Sequence, residues 1–366
     1  MNNTPKALYV HIPFCDRICS YCDFAKVMTG TFSQSAYLDR LFLELDENHI
    51  PHDSLSTIYI GGGTPSSLSK ENLKRLLSLL HERFPHVREF TMEANPESLS
   101  PEKIAVCLEN GVNRISLGAQ SADDHVLSLL HRNHTVRELV QCTQNLKKAG
   151  LQNFNLDFIY GLPDMTMSDL RKDIELSLSF GSTHLSYYSL QIEEGTLLYN
   201  RKVASLSDEK MREMYDFILS ELERNGYFRY EVSNFSLPGY ESLHNLTYWH
   251  DEEYYAIGLS AAAYIGKNRF VNTRSMNHYL SGNYHRTIDS LNEKDEELEF
   301  LMLNLRLASG FEIQKFDSRF HKDFLTFYQK EIEKVKDYTE IVDSRFRIRK
   351  EYLYTMDSIL LDLLKD

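Results

Sequence analysis

Cysteine is scarce in this chain: 366 residues carry five, an odd number. A few thiols without an export signal argue against a disulfide framework and for a reducing compartment. Positive charge is also in short supply. Lysine and arginine number 40 against 53 aspartates and glutamates, a net charge of −13. That balance excludes generic binding of a nucleic-acid backbone as the main role. No apolar run approaches the roughly 18–20 residues of a membrane-crossing helix. The opening Met1-Asn2-Asn3-Thr4-Pro5-Lys6 lacks the layout of a secretory signal, so a cytoplasmic protein is expected. Low-complexity tracts are missing too. With 42% hydrophobic residues the chain can bury a sizeable core, and its length suggests two domains or one with an appendage.

What is present is a strand-then-helix unit that recurs six times. The strands are predicted over Ala7–Ile12, Thr57–Ile60, Glu89–Glu93, Arg114–Leu117, Phe154–Tyr160 and Leu185–Leu190. Between them, helical periodicity covers Lys70–Phe84, Ser100–Asn110, Thr135–Gly150 and Met167–Phe180. Ser69 and Ser100-Pro101 supply start signals, and Gly111, Gly150 and Gly181 supply stops. Alternating units of this kind give a parallel sheet with helical crossovers. Six of them predict an open, three-quarter parallel β/α barrel, followed by a smaller, mainly helical C-terminal domain. The expected divisions are 1–235 for the barrel, 236–289 for an aromatic-rich connecting region, and 290–366 for the C-terminal domain.

Three cysteines lie within eight residues, Cys15, Cys19 and Cys22, in the loop after the first strand. Zinc would normally take four ligands, and no fourth stands nearby. Three thiolates on one loop instead suit a [4Fe–4S] cluster whose fourth iron is left to a small molecule. Zinc stays open as the alternative at this point. Cys107 and Cys142 sit in helical stretches and read as core or helix-surface residues. After the second strand comes Gly61-Gly62-Gly63-Thr64-Pro65, where missing side chains would let a ligand lie on the backbone; a plain tight turn is the bland reading. Glu93, Asn95, Gln120, Asp157 and Gln191 follow other strands, at the barrel end where sites are built.

The cysteine spacing, with Tyr21 before the last cysteine and Gly-Gly-Gly-Thr-Pro after it, resembles the radical S-adenosylmethionine (SAM) superfamily. The resemblance implies a cluster whose open iron is chelated by SAM, and reductive cleavage of that SAM to a 5′-deoxyadenosyl radical. A narrower similarity runs through Tyr9-Val10-His11-Ile12-Pro13-Phe14-Cys15, Asp157-Phe158-Ile159-Tyr160-Gly161-Leu162-Pro163 and Tyr230-Glu231-Val232-Ser233-Asn234-Phe235. These look like the oxygen-independent coproporphyrinogen III oxidase group. His244-Asn245-Leu246-Thr247-Tyr248-Trp249 looks like its HemW branch, whose members are read as heme chaperones. By matching positions, the resemblance makes Tyr9, Gly62 and Glu93 contacts to the cluster-bound SAM. Tyr21, Gly63, Thr64, Gln120, Arg132 and Asp157 match contacts to a second SAM in the oxidase.

Two departures favour the chaperone branch. Phe24 stands where the oxidase has a further cysteine, and 14 residues precede Cys15 where the oxidase has a longer segment. The expected function is therefore to hold the cluster, SAM and heme, and to pass heme, as cargo, to acceptor proteins. Oxidative decarboxylation of coproporphyrinogen III is the alternative, and another tetrapyrrole a third. No residue is assigned a catalytic role. His244 is the expected heme ligand, with His250 as the fallback and Tyr248, Trp249, Tyr254 and Tyr255 as a stacking wall; a sealed aromatic interface is the competing reading. Arg345-Phe346-Arg347-Ile348-Arg349-Lys350 alternates as a half-buried strand would, a solvated hairpin face that could also touch anionic lipid transiently.

Overall fold

Within the strand segments polar and apolar residues take turns, as in Thr57-Ile58-Tyr59-Ile60, Arg114-Ile115-Ser116-Leu117 and Asn155-Leu156-Asp157-Phe158. A pleated strand sends such neighbours to opposite faces. In a computed structural model, which describes residues 4–364 apart from His285, that alternation sorts the two sides of one large sheet. Its parallel strands are β1 (Ala7–Ile12), β2 (Thr57–Gly62), β3 (Glu89–Ala94), β4 (Arg114–Gln120), β5 (Phe154–Tyr160) and β6 (His184–Ser189). They lie side by side in chain order. The last begins one residue earlier than the pattern predicts, and β4 runs three residues longer.

The sheet continues beyond these six. After β6 come β7 (Phe228–Arg229) and β8 (Asn234–Ser236), both antiparallel to their neighbours, with β7 at the edge. On the other side β9 (Tyr255–Ile257), from the aromatic-rich segment, pairs parallel with β1. The barrel thus stays open, with β9 and β7 as its edges.

The apolar face of the sheet packs against α1 (Gln34–Glu47), α2 (Lys70–Arg83), α3 (Pro101–Glu109), α4 (Val136–Lys148), α5 (Met167–Ser179) and α6 (Asp208–Arg224). Helix starts follow the sequence signals: the Ser69 and Ser100 hydroxyls accept from Asn72 and Lys103 N–H, and Thr135 with Glu138 forms a capping box. Cys107 and Cys142 are buried in this layer. The polar face turns inward. Parallel strands buried on both sides read as continuous apolar runs; here the lumen is polar, so every second residue is free to carry chemistry.

Leu243–Trp249 forms α7, and Ala262–Ile265, Asn268–Val271 and Thr287–Ser290 make a small antiparallel sheet. The last part of the chain is helical around a phenylalanine-rich core that includes Phe300, Phe311, Phe316, Phe324 and Phe346. It also holds a three-stranded sheet of Phe311–Glu312, Thr339–Val342 and Arg345–Ile348. Asp343 and Ser344, both at positive φ, close the hairpin between the last two. Half of the basic stripe there is paired: Arg345 meets Glu312 at 2.9 Å and Arg347 meets Glu340 at 2.8 Å, while Arg349 donates to the Thr339 carbonyl at 3.0 Å. No described helix is long and apolar enough to cross a membrane.

Candidate functional site

The loop that carries the cysteines is pinned at both ends. Phe14–Cys15 pairs parallel with Val27–Met28, and Val27 N–H donates to Pro13 O at 2.8 Å. Between these ends, Ser20 N–H donates to Leu130 O, and Lys26 Nζ donates to Cys22 O at 2.6 Å. His11 Nε2 reaches Ala25 O at 2.9 Å while its Nδ1 meets the Tyr9 hydroxyl at 3.1 Å. Burial lowers His11 to about 4, so the ring is neutral and can bridge the two. Cys15 is buried; Cys19 and Cys22 are half-buried. Burial pushes the Cys15 thiol up to about 11, and Cys22 in the same direction. Such thiols keep their protons until a metal displaces them.

All three thiols line one cavity of about 470 Å³ at the C-terminal mouth of the barrel. Gly62, Gly63, Thr64 and Glu93 enter it from β2, β3 and the loop after β2, and Gln120, Arg132 and Asp157 from the far side. Tyr21 joins them from the cysteine loop. Tyr9 lies beside this group, its ring stacked at 6.2 Å on Tyr59. These eleven residues, all singled out from sequence, share one cavity with Asn95, Gln191 and Phe24, and Tyr9 adjoins it.

Local geometry explains several of them. Glu93 accepts from the Tyr59 hydroxyl at 2.9 Å and from Gly62 N–H at 3.0 Å. Desolvation, with Asp157 as a second negative neighbour, raises Glu93 to about 7. Asp157 is also raised by burial, and holds Ser116 and Asn155 at 2.9 and 2.8 Å. Arg132 is buried and donates to Asn95 Oδ1 at 2.6 Å, Gly118 O at 3.2 Å and Cys19 Sγ at 3.4 Å. A Cβ at Gly118 would stand 2.8 Å from Gln120 and 3.0 Å from Arg132, and the sheet register shifts there. Gln120 takes a positive φ at this irregularity, which aims it into the mouth. Tyr59, His11 and Gly118 were not singled out from the sequence. The alternation of Thr57, Tyr59 and Gly61 with apolar residues was the signal for Tyr59.

The glycine run proves tighter than an open cradle. A Cβ at Gly61 would meet the Glu93 carboxyl at 2.9 Å, one at Gly62 the His11 ring at 2.6 Å, and one at Gly63 the Pro13 backbone at 2.7 Å. These glycines let protein groups close up around the mouth.

His244 is not part of the mouth. It lies at the opposite end of β2, fully buried, with Nδ1 2.9 Å from Thr57 Oγ1 and Nε2 2.8 Å from the Tyr248 hydroxyl. Five strand steps at about 3.3 Å put Thr57 about 16 Å from Gly62. The Glu89 carboxylate accepts from Leu243 and His244 N–H at 2.9 and 3.0 Å, fixing α7 against the base of the barrel. An imidazole with both nitrogens engaged and no exposed surface offers nothing to a porphyrin iron, so the ligand expectation is not met by this arrangement. His250 is half-buried, where Lys315 and Arg345 lie close enough to lower its pKa further after burial.

His244→Ala is therefore expected to destabilise the fold by about 2–4 kcal/mol, from a cavity plus unpaired Thr57 and Tyr248. Burial lowers His244 to about 3 against an ordinary 6.5. The stabilising effect of the neutral ring is present above pH 6.5 and is lost as pH falls below it. The gap between wild type and variant should narrow accordingly from pH 8 to pH 5 in urea titrations; equal midpoints at pH 8 would show the ring to be placed wrongly.

Residues 9–177 match the family profile of the radical SAM superfamily. The heme chaperone HemW of Lactococcus lactis subsp. lactis (strain IL1403) is 41% identical over 95% of this chain and 94% of its own. The heme chaperone HemW of Escherichia coli (strain K12) is 33% identical over 84% of each. This chain belongs to the HemW family of radical SAM proteins. Among solved structures it is similar to coproporphyrinogen III oxidase (HemN) from Escherichia coli, described as a radical SAM enzyme. The TM-score is 0.85 at 21% identity, covering 99% of this chain and 90% of that one, a likeness of fold. Radical SAM membership implies a [4Fe–4S] cluster and SAM.

Proposed function

We propose that the chain is a heme chaperone, which holds a [4Fe–4S] cluster and SAM at the barrel mouth and binds heme for delivery to acceptor proteins. One observation carries the choice between chaperone and oxidase. Phe24, two residues after Cys22, is 65% exposed at the mouth, where the oxidase group carries a cysteine. No other cysteine can substitute: Cys107 and Cys142 lie buried in α3 and α4, outside the sheet.

The donor set suits the cofactors. Cys15, Cys19 and Cys22 would hold the cluster. Among the described residues no His, Cys, Asp and Glu group is spaced for a single ion. A cube places each thiolate on a separate iron, so its ligands need not converge on one point. When bound, the pair supplies one-electron reduction at a sulfonium. Glu93, its two oxygens held by Tyr59 and Gly62, would accept the ammonium of SAM, with Tyr9 behind it. Arg132 and Asp157, with Tyr21, Gly63, Thr64 and Gln120, form the wall available to the rest of SAM or to a second molecule. Arg132 also puts an N–H on Cys19, fixing that sulfur against the wall.

The test is an anaerobic assay of the reconstituted protein with coproporphyrinogen III, SAM and a reductant, beside a hemin titration. No protoporphyrinogen should form, and hemin should bind with a shifted Soret band. Turnover of coproporphyrinogen would sink the chaperone reading.

A further inference from the structure

Adjoining the mouth, and sharing Cys19, Cys22, Phe24 and Lys26 with it, lies a second cavity of about 670 Å³. Its size falls in the range of small-molecule sites. Apolar walls come from Ile18, Phe24 and Leu197, and charge from Lys26 and Arg274; no aspartate or glutamate lines it. That is unusual in a chain of net charge −13. Both cations are also free of carboxylates. Lys26 donates to the backbone carbonyls of Cys22 and Phe24, at 2.6 and 3.1 Å, and Arg274 to that of Asp23, at 2.9 Å. Among the described residues neither forms an ion pair, and Asp23 lines the mouth cavity but not this one. Phe24 and Ile18 are 65% and 41% exposed, large apolar side chains left in water beside two unneutralised cations.

Apolar surface flanked by uncompensated positive charge is complementary to a flat apolar molecule that carries carboxylates. We propose that this outer cavity, and not the helix of His244, docks the tetrapyrrole, with its disc on Phe24 and Ile18 and its propionates on Lys26 and Arg274. The inference rests on the heme reading above and gives that reading a place. Cys19 and Cys22 form the back wall but are the residues assigned to the cluster, and no histidine lines the cavity. The site therefore recognises the disc and its carboxylates, and the iron contributes little.

That makes a sharp test on the reconstituted full-length protein, with hemin, iron-free protoporphyrin IX and protoporphyrin dimethyl ester as probes. Hemin and protoporphyrin IX should bind within about threefold of one another, and the ester at least about tenfold more weakly. Arg274→Gln should weaken hemin about tenfold while iron and sulfide content stay at the wild-type level. Lys26→Gln should do the same to hemin, and its content measurement shows whether the loop clamp survived. Phe24→Asn reads the disc contact without touching either cation. Hemin affinity unchanged within about twofold in Arg274→Gln and Phe24→Asn would overturn the site, leaving the cations to an acidic protein or anionic surface. Wild-type binding of hemin but not of protoporphyrin IX would overturn it too, by showing that the iron is the handle. Binding of neither by wild type would remove the heme reading itself, and the site with it.

Discussion

Serine at Cys15, Cys19 or Cys22 is expected to abolish cluster assembly after anaerobic reconstitution, with iron and sulfide falling to background and the broad visible absorbance lost. Each thiolate would serve one iron, and a serine oxygen is a much harder donor that keeps its proton at neutral pH. The three positions are not equivalent in the protein. Cys15 is anchored in a strand pair and receives the Thr64 hydroxyl at 3.8 Å; Cys19 receives Arg132; Cys22 sits under the Lys26 clamp. Loss should nonetheless be complete for each, since two thiolates cannot retain a cube against solvent. Cys107→Ser and Cys142→Ser change helix–sheet packing and should leave iron content intact. A triple serine variant that still binds four irons and four sulfides would show the assignment to be wrong.

Gly62→Val is expected to lose SAM and cluster together. Its φ of +119° is one that side-chain-bearing residues rarely take. A Cβ there would stand 2.6 Å from the His11 ring, before the two valine methyls are counted. His11 has nowhere to retreat, because its nitrogens hold Tyr9 on one side and Ala25 of the cysteine loop on the other. Displacing it releases the loop and shifts the Gly62 N–H off Glu93, the group assigned to the SAM ammonium. From sequence alone, an open glycine cradle would predict lost SAM with the cluster kept. Equilibrium dialysis of SAM and iron content on one preparation separate the two ideas: SAM affinity should fall by more than about tenfold and iron should fall with it. Wild-type values of both would refute the placement of His11 and Glu93 around this glycine.

Much of the molecule could be read along the chain. The six βα units, their caps, the cysteine loop and the glycine run are local patterns, fixed by spacing and by the period of a strand or helix. The inward-facing polar residues were legible for the same reason, since a period of two assigns faces. Tyr59 and Ser116 belong to that row and could have been read from it. A pattern says which face a residue takes but not what stands opposite it, so distant pairings stayed hidden. His244 meets Thr57 across 187 positions, and that contact turns a motif histidine into a sealed support at the barrel base. Tyr255–Ile257 extends the sheet beside β1, although nothing local distinguishes it from the aromatic residues around it. The left-handed Gln120 and the close approach of Gln120 and Arg132 to Gly118 accompany a register shift between two strands, which neither strand contains alone. The sequence by itself determined the units, their order and the chemistry at the strand ends. Tertiary structure alone decided which end of the barrel each later segment reaches and which charges find no partner, because both follow from chain closure between segments far apart in sequence.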